Sequence, residues 1–364
     1  HRPRSPYLSV GFAGIGSPFN ENPSLFQRSL ENYKTHPPYV LFYLGMIDTH
    51  HIIRERAIIN ETIRSFFKGR DYLEVETPIV VRSPGMEPNL SPFETTVVEP
   101  NGIQHRATLI TSPEYAMKKL LGCGMEKIFT ITKVFRNEEE FFGTHNPEFT
   151  MLEWYQQGED YHACMDETQA LIQEVEKSIG GSGDDRWERV RVRDLFLEFV
   201  GVDLDACDQR ALLEACHRHG IHTIPDDTQS DLFYRLFLQN IEPNVRGNMF
   251  VYDYPIYQAA LARLTPDGKF GERFELYMNG LELCNGFTEL TNASEQRARF
   301  LEEAAERAKL QKTVHPIDEE FLRLLPSVRT PSFGNALGVD RLHMVLTGRQ
   351  NIEEVLLFSM SHLF

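Results

Sequence analysis

The sequence has 364 residues, of which 41% are hydrophobic and 25% are charged, proportions typical of a globular protein with a large core. Its formal net charge of −16 argues against a surface built for general contact with nucleic acid. The five cysteines form no C-x-x-C pair, so we predict a cytoplasmic protein without disulfides or a zinc site. The longest apolar run, residues 39–46, is too short to cross a membrane, so we predict no membrane partner.

Residues 1–45 differ from the rest of the chain. They are rich in Pro, Ser, Gly and Asn, contain no Met and show no sustained hydrophobic period. We therefore predict a disordered or non-native extension there, followed by one folded domain in residues 46–364. The alternative is an ordered arm that packs against a partner subunit.

Two helices are predicted ahead of the first long strands. Apolar residues with helical spacing run from Thr49 to near Gly69, and a short strand and a proline follow. Ser112 and Pro113 mark the start of a second helix, which places Glu114 in its first turn. The helix dipole alone favours a carboxylate at that position, so Glu114 by itself is a weak sign of a site.

Residues 127–156 predict an antiparallel hairpin, in which two β-like runs flank a polar loop. Since side chains alternate between the faces of a strand, Arg136 and Glu138 are expected to share one face of the first strand. The same alternation groups three residues of the second strand on one face: Phe149, Glu153 and Tyr155.

These side chains predict a nucleotide site. An arginine can bind phosphate, a glutamate can accept from the adenine amino group, and a phenylalanine ring can stack on the base. His145 and Asn146 add polar groups at the loop tip. The alternative, a surface hairpin with one salt bridge, does not account for so many polar side chains in one place.

A second set of elements follows the first hairpin. Residues 160–179 have the pattern of an amphipathic helix, and the GGSG stretch after them is typical of a flexible link. Residues 185–245 are predicted to form a mostly helical insertion to which we assign no chemistry.

A second hairpin is predicted around Asn279 and Gly280, a dipeptide that favours a two-residue type I′ turn. In the resulting register Glu275 pairs with Cys284, which places Glu275 and Glu282 diagonally on one face. Such a pair predicts a magnesium ion bound to a triphosphate. A solvent-facing acidic edge would explain either glutamate alone.

Three segments carry a resemblance to a known family. FRNEE…HNPEFTMLEWY, residues 135–155, closely resembles motif 2 of the class II aminoacyl-tRNA synthetases in its lysyl form. GNALGVDR, residues 334–341, resembles motif 3, and the helix, strand and proline of residues 49–78 resemble motif 1. NEE, EWY, Ser112 and Ala336 are most similar to the short lysyl-synthetase paralogs that attach β-lysine to elongation factor P.

The resemblance implies an α+β fold, the class II catalytic fold, with a mainly antiparallel sheet flanked by helices and a homodimer formed through motif 1. It implies ATP and magnesium as cofactors, with Glu275 and Glu282 as metal ligands and Arg136 and Arg341 as catalytic residues. The residues implied to bind ATP are Arg136, Asn137, Glu138, His145, Asn146, Phe149, Glu282, Leu283, Gly338 and Arg341.

The substrate implied is a lysine-type amino acid. Its binding residues are Ser112, Glu114, Tyr155, Asn285, Glu289 and Ala336. By resemblance, Asn285 holds the carboxylate, and Glu289, assisted by Tyr155, pairs with the side-chain ammonium. The Ala336 methyl on the pocket floor favours (R)-β-lysine over α-lysine by about 1–3 kcal/mol. Strict alternation would put Asn285 and Glu289 on the face opposite Glu282, so we expect a bulge or bend near Gly286.

The implied reaction is ATP-dependent activation of the amino acid as its adenylate and transfer to a lysine side chain of elongation factor P. Transfer to tRNA is disfavoured, because the residues ahead of motif 1 lack the strand periodicity of an anticodon-binding barrel. A lysyl-tRNA synthetase-like enzyme and a non-catalytic regulatory paralog are the alternatives. Tyr257, Asn335 and a slightly longer motif 2 loop depart from the family's pattern and are expected to affect specificity.

Overall fold

The computed structural model describes residues 50–183 and 186–364, so the predicted extension at residues 1–45 lies outside the described part of the chain. Its helices are α1 His50–Lys68, α2 Glu114–Gly122, α3 Tyr161–Ser178, α4 Val192–Phe199, α5 Gln209–Arg218, α6 Gln229–Leu236, α7 Ala293–Lys309, α8 Glu319–Leu324, α9 Val339–Leu346 and α10 Met360–Leu363. Its strands are β1 Leu73–Glu74, β2 Val80–Val81, β3 Glu94–Val98, β4 Gln104–Leu109, β5 Lys127–Phe135, β6 Glu148–Gln157, β7 Trp187–Arg191, β8 Asn248–Pro255, β9 Phe270–Met278, β10 Leu281–Thr288 and β11 Ser332–Gly338. Among these helices none combines the length and apolar character that a membrane crossing needs.

Eight strands form one sheet in the order β1-β5-β6-β11-β10-β9-β8-β7. Within the described residues its interior pairs are antiparallel, and the pairs at its two edges, β1–β5 and β7–β8, are parallel. A smaller antiparallel sheet has the order β2-β4-β3. The predicted α+β fold, mainly antiparallel with flanking helices, is confirmed.

Helices cover one face of the large sheet because their apolar residues recur at helical spacing. Ile59, Ile63, Phe66 and Phe67 of α1 are buried, and the Phe67 ring stacks on Phe129 of β5 with centroids 4.9 Å apart. The buried residues of α3 belong to the same cluster. Since strand residues alternate between faces, the opposite face of these strands is left to carry polar side chains.

The region predicted as a helical insertion, residues 185–245, begins with a strand. β7 adds to the sheet edge parallel to β8, and α4, α5 and α6 follow with a hydrophobic cluster of their own. That cluster packs against Val251, Tyr254 and Tyr277 of the sheet. The prediction missed β7 because its five residues, WERVR, lack an apolar alternation.

The β9–β10 hairpin turns at Asn279 and Gly280, whose φ angles of 53° and 82° fit the predicted type I′ turn. The bulge predicted near Gly286 is wrong in position. The register shifts between Glu282 and Cys284, much closer to the turn. An alternating pattern alone cannot locate an unpaired residue, so the position of this bulge is not predictable from the sequence.

The bulge decides which side chains share a face. Cys284 pairs with Leu276 and not with Glu275, so the predicted register beyond the turn is wrong. Asn285 is the residue opposite Glu275. Because of the extra residue, Glu282 and Asn285 lie on the same face although they are three positions apart. Glu275, Glu282 and Asn285 therefore belong to one polar surface.

Candidate active site

Two rows of residues cross the polar face of the large sheet. The first row runs from β9 to β5 through Glu275, Asn285, Ala336, Glu153 and Thr130. The second row runs through Arg273, Phe287, Gly334, Tyr155 and Ile128. The predicted substrate residues Tyr155, Asn285 and Ala336, which are far apart in sequence, thus come to adjacent positions on three strands.

Gly334 leaves room for a buried carboxylate beside these rows. A Cβ atom added at Gly334 would lie 2.5 Å from Glu289 Oε1 and 2.2 Å from Tyr155 Cε1, so this close approach requires glycine. Glu289 is 1% exposed, and its Oε1 has no hydrogen-bond partner among the described residues. Leaving such an atom unpaired is costly, so Glu289 Oε1 is suited to bind a cationic ligand.

Glu153 contributes a second buried carboxylate. Ser112 Oγ donates to its Oε1, and the Tyr155 hydroxyl donates to its Oε2 at 2.9 Å. Burial, reinforced by the charge of Glu114, raises the pKa of Glu153 to about 8. Ser112 and Tyr155 therefore both orient Glu153.

Lys118 of α2 lies among the carboxylates and is 2% exposed. Its Nζ is 2.5 Å from Glu114 Oε1, 2.7 Å from Glu289 Oε2 and 4.9 Å from the Phe287 ring centroid. Burial alone would lower the pKa of Lys118, but the two carboxylates raise it, so Lys118 stays protonated. Burial raises the pKa of Glu289 to about 8, against the opposing effect of Lys118.

Glu275, at the far end of the first row, is held by three donors. Arg273 forms a buried ion pair with its Oε1, and the hydroxyls of Tyr254 and Tyr277 donate to its Oε2, the latter at 2.7 Å. Arg273 Nε also donates to Asn285 Oδ1 at 2.9 Å. Arg273 therefore fixes the positions of two predicted site residues.

Arg136 lies directly after the last residue of β5. Its guanidinium carbon is 5.1 Å from the centroid of the Phe149 ring. Burial lowers the pKa of Arg136, and its buried Nε has no hydrogen-bond partner within residues 50–183 and 186–364. A guanidinium N–H in that state is suited to bind phosphate. Arg136 and Phe149 are thus brought together as the predicted nucleotide site requires.

Glu138 is placed by a turn and not by strand alternation. The prediction that Arg136 and Glu138 share a strand face is wrong, because β5 ends at Phe135 and Glu138 has a φ angle of 63°. The Glu138 carboxylate accepts from Ser91 Oγ, and the main-chain N–H of Asn137 donates to the carbonyl of Ser91 at 2.7 Å. The loop that contains Ser91 therefore sets the position of this carboxylate.

Arg341, in the first turn of α9, connects motif 3 to the loop of the first hairpin. Its Nη1 donates to the Glu282 carbonyl at 2.9 Å, its Nε to the Thr144 carbonyl at 3.3 Å, and its Nη2 to His145 Nε2 at 3.0 Å. Burial and the Arg341 charge lower the pKa of His145, so its neutral ring accepts this bond.

Three further predicted ATP residues support this end of the site. The Asn146 amide donates to the Glu148 carbonyl at 2.6 Å and accepts from the Met360 N–H at 2.9 Å, so it holds the loop. The Leu283 side chain belongs to the helix-covered core, which leaves its backbone to the site. Gly338 lies beside Arg341 and Leu283. A Cβ added at Gly338 would be at ordinary van der Waals distance from both, 3.8 Å from Arg341 Cβ and 3.9 Å from the Leu283 carbonyl oxygen.

Sequence reasoning missed Lys118 and Arg273 and assigned no role to Glu153. Both missed cations carried a usable signal. Lys118 follows Glu114 by four residues, which places both on one helix face. Arg273 precedes Glu275 by two residues, which places both on one strand face. Their charges identify them as the counter-ions of predicted site carboxylates.

Tyr257 and Asn335, which depart from the family's pattern, lie outside the two rows. The Tyr257 ring packs beside Phe233 with centroids 6.0 Å apart, in the cluster of the insertion. Asn335 Nδ2 donates to Thr168 Oγ1 of α3 at 2.9 Å, on the helix-covered face. Neither side chain therefore contributes to the polar face at which the predicted substrate residues meet.

Comparison with known proteins decides the family. A family model described as tRNA synthetases class II (D, K and N) matches residues 39–362. The chain belongs to this family. A relative from Vibrio cholerae named elongation factor P–(R)-β-lysine ligase is 41% identical over 313 residues, covering 84% of this chain and 94% of the relative. A relative of the same name from Haemophilus influenzae is 38% identical over 319 residues, covering 86% of this chain and 96% of the relative. Another, from Avibacterium paragallinarum, is 39% identical over 311 residues, covering 84% of this chain and 94% of the relative.

Membership of the class II synthetases implies the use of ATP and typically of magnesium. Both oxygens of Glu275 already accept bonds from protein donors. The Glu282 carboxylate is 41% exposed and lies 3.7 Å from Arg341 Nη1. In the described part of the chain no three His, Cys, Asp or Glu side chains are arranged to hold a metal. Of the two predicted ligands, Glu282 is the one that fits a magnesium ion carried by triphosphate.

Proposed function

We propose that this class II synthetase activates a lysine-type amino acid, preferably (R)-β-lysine, as its adenylate and transfers it to a lysine side chain of elongation factor P. The observation that carries the proposal is the group of buried carboxylates around Lys118, on the same sheet surface as Arg136. Carboxylates suit the two ammonium groups of a diamino acid, and an arginine suits the phosphates of ATP.

The substrate fits the pocket in one orientation. Glu289 Oε1 takes the side-chain ammonium, Glu114 takes the other amino group, and the amide of Asn285 holds the carboxylate. Ala336 lies between Asn285 and Glu153 in the row, so its methyl group forms part of the floor. That methyl group favours a β-amino over an α-amino group by about 1–3 kcal/mol.

Adenylate formation then depends on position and charge. The adenine ring stacks on Phe149, its amino group donates to Glu138, and Arg136, Arg341 and His145 face the phosphates. A carboxylate oxygen of the amino acid attacks the α-phosphorus, and the bond to the pyrophosphate oxygen breaks with its electron pair leaving on pyrophosphate. The fixed guanidinium groups stabilise the developing charge without rearrangement of the site.

The second step makes an amide. The neutral amine of the acceptor lysine attacks the carbonyl carbon of the adenylate, AMP leaves with the electron pair of the broken C–O bond, and the amine nitrogen releases one proton to solvent. A magnesium ion held by Glu282 would neutralise phosphate charge.

We further propose a homodimeric, cytoplasmic enzyme whose catalytic domain spans residues 46–364 and carries the insertion at residues 185–245, preceded by the extension of residues 1–45.

The acceptor is the point on which the proposal differs from its rival. The name of the relatives favours elongation factor P. The description of the family favours tRNA, and a lysyl-tRNA synthetase-like enzyme is therefore the second candidate. Both enzymes would make the same adenylate, so only the transfer step separates them.

ATP–pyrophosphate exchange followed by transfer tests the proposal. We expect exchange that depends on the amino acid and is faster with (R)-β-lysine than with α-lysine, and label that moves to purified elongation factor P and not to tRNA. Preference for α-lysine with transfer to tRNA would instead identify a synthetase. No exchange with either amino acid would identify a non-catalytic paralog.

Binding of the amino acid is expected to strengthen as the pH rises. Glu153 and Glu289, with pKa values of about 8, are mostly protonated at neutral pH. Only their charged forms pair with an ammonium group, so KM for the amino acid should fall between about pH 6.5 and about pH 8.5. Initial rates of exchange at saturating ATP measure this. A KM that is flat or rises over that interval would contradict the assignment of the carboxylates.

A further inference from the structure

We infer that Lys118 is a positioning residue that sets how many cationic groups the pocket accepts. It binds one oxygen of Glu114 and one oxygen of Glu289 and leaves the rest of each carboxylate to the substrate. The inference rests on the proposed function, because it assigns the remaining oxygens to the two ammonium groups of a lysine-type substrate.

Lys118 bridges Glu114 and Glu289 without occupying both oxygens of either carboxylate. Lys118 Nζ forms an ion pair with Glu289 Oε2 at 2.7 Å without the geometry of a hydrogen bond, and Glu289 Oε1 points past Gly334 with no hydrogen-bond partner among the described residues. An arriving ammonium can therefore bind Oε1 without displacing Lys118. A lysine that merely neutralised Glu289 would not need to leave one buried oxygen unpaired.

The charges of the pocket give the reason for a resident cation. In their ionised forms Glu114, Glu153 and Glu289 supply three negative charges around one small volume, and a lysine-type amino acid supplies two ammonium groups. With Lys118 as the third cation, the two ammonium groups of a diamino acid bring the number of positive charges to that of the carboxylates. An amino acid with an apolar side chain would leave one buried carboxylate without a counter-charge, which disfavours its binding.

Other ionisable groups face this cluster from every neighbouring element. They are Glu153 and Tyr155 of β6, Glu87 of the loop after β2, Glu303 of α7, and Arg136 after β5. Burial raises the pKa of both Glu87 and Glu303, and among the described residues neither forms an ion pair with Lys118. Lys118 is the cation in contact with both Glu114 and Glu289.

The test replaces Lys118 and follows the pH profile of amino-acid binding. In Lys118→Met the carboxylates lose their cation, so the acid limb of kcat/KM for the amino acid should move up by about one pH unit or more. KM for the amino acid at neutral pH should rise about tenfold or more, with little change in KM for ATP. Lys118→Arg keeps the charge and should keep the acid limb of the unmodified enzyme.

Lys119 provides a matched control. It is the next residue, and its ammonium also bridges two carboxylates, Asp318 at 2.7 Å and Glu320 at 3.1 Å, but at the surface of the same helix. Lys119→Met should leave the profile and both KM values within about twofold of the unmodified enzyme. An acid limb that does not move in Lys118→Met would overturn the inference.

A double variant keeps the test decisive if Lys118→Met does not fold. Lys118→Met with Glu289→Gln removes one cation and one carboxylate together, which avoids an uncompensated buried charge. Its acid limb should lie at higher pH than that of Glu289→Gln alone, because the Lys118 charge that lowers the pKa of Glu153 is then absent. Coincident limbs would overturn the inference. No exchange in the unmodified enzyme would instead contradict the proposed function, and the inference would fall with it.

Discussion

Arg136→Lys is expected to lower kcat/KM for adenylate formation by about 100- to 1,000-fold, the loss typical when one preorganised donor to a developing charge is removed. The guanidinium is fixed beside Phe149, 5.1 Å from the ring centroid, and its buried Nε has no partner in the described part of the chain. Lysine keeps the positive charge but lacks the planar set of N–H donors and does not stack in the same way. The loss should therefore appear although the net charge is unchanged.

Arg189 is the matched control for this substitution. Its guanidinium carbon lies 5.5 Å from the Phe250 ring centroid, but it pairs with Asp166 at the protein surface. Arg189→Lys should change the rate of ATP–pyrophosphate exchange by no more than about twofold. If Arg136→Lys retained more than about a tenth of the exchange rate, Arg136 would not be the preorganised donor that the mechanism requires.

Regular strands and their motifs were predictable because their signals are local. The runs of the first hairpin alternate over many residues, and β5 and β6 together begin at Lys127 and end at Gln157, against a predicted hairpin over residues 127–156. The Asn279-Gly280 turn was equally clear, since both positions need a positive φ angle that these residues tolerate. Such features depend on a few neighbours in the chain.

Features that depend on distant partners were not predictable in detail. The shift between Glu282 and Cys284 is set by how β10 meets both β9 and β11, and an alternating pattern does not contain that information. Strand alternation groups Glu138 with Arg136 because the end of β5 at Phe135 has no strong sequence signal. The face that each predicted carboxylate occupies therefore required the structure.

Lys118 illustrates a different limit. A glutamate and a lysine four residues apart on a helix usually form an exposed pair of small energetic value. Here the same spacing lies under the sheet, where Glu289 from another element completes a buried bridge. The sequence contains the spacing but not the burial, and burial decides whether the pair belongs to the surface or to the site.

Removing the cation of the other buried pair should have the largest effect on stability. Arg273→Met leaves Glu275, which is 4% exposed, without its counter-ion and deletes the bonds to Asn285 Oδ1 and to the Gln258 carbonyl. Breaking a buried ion pair from one side typically costs about 3–5 kcal/mol. We expect a loss of that size in the free energy of unfolding, measured by urea denaturation.

Two comparisons separate this effect from a general loss of charge. The exposed pair of Arg297 and Glu319 should contribute little, so Arg297→Met should cost no more than about 1 kcal/mol. Adding Glu275→Gln to Arg273→Met removes the unpaired carboxylate and should restore part of the lost stability, although the bond to Asn285 stays broken. If Arg273→Met cost no more than Arg297→Met, Arg273 would not be what holds Glu275 and Asn285 in the row that forms the substrate site.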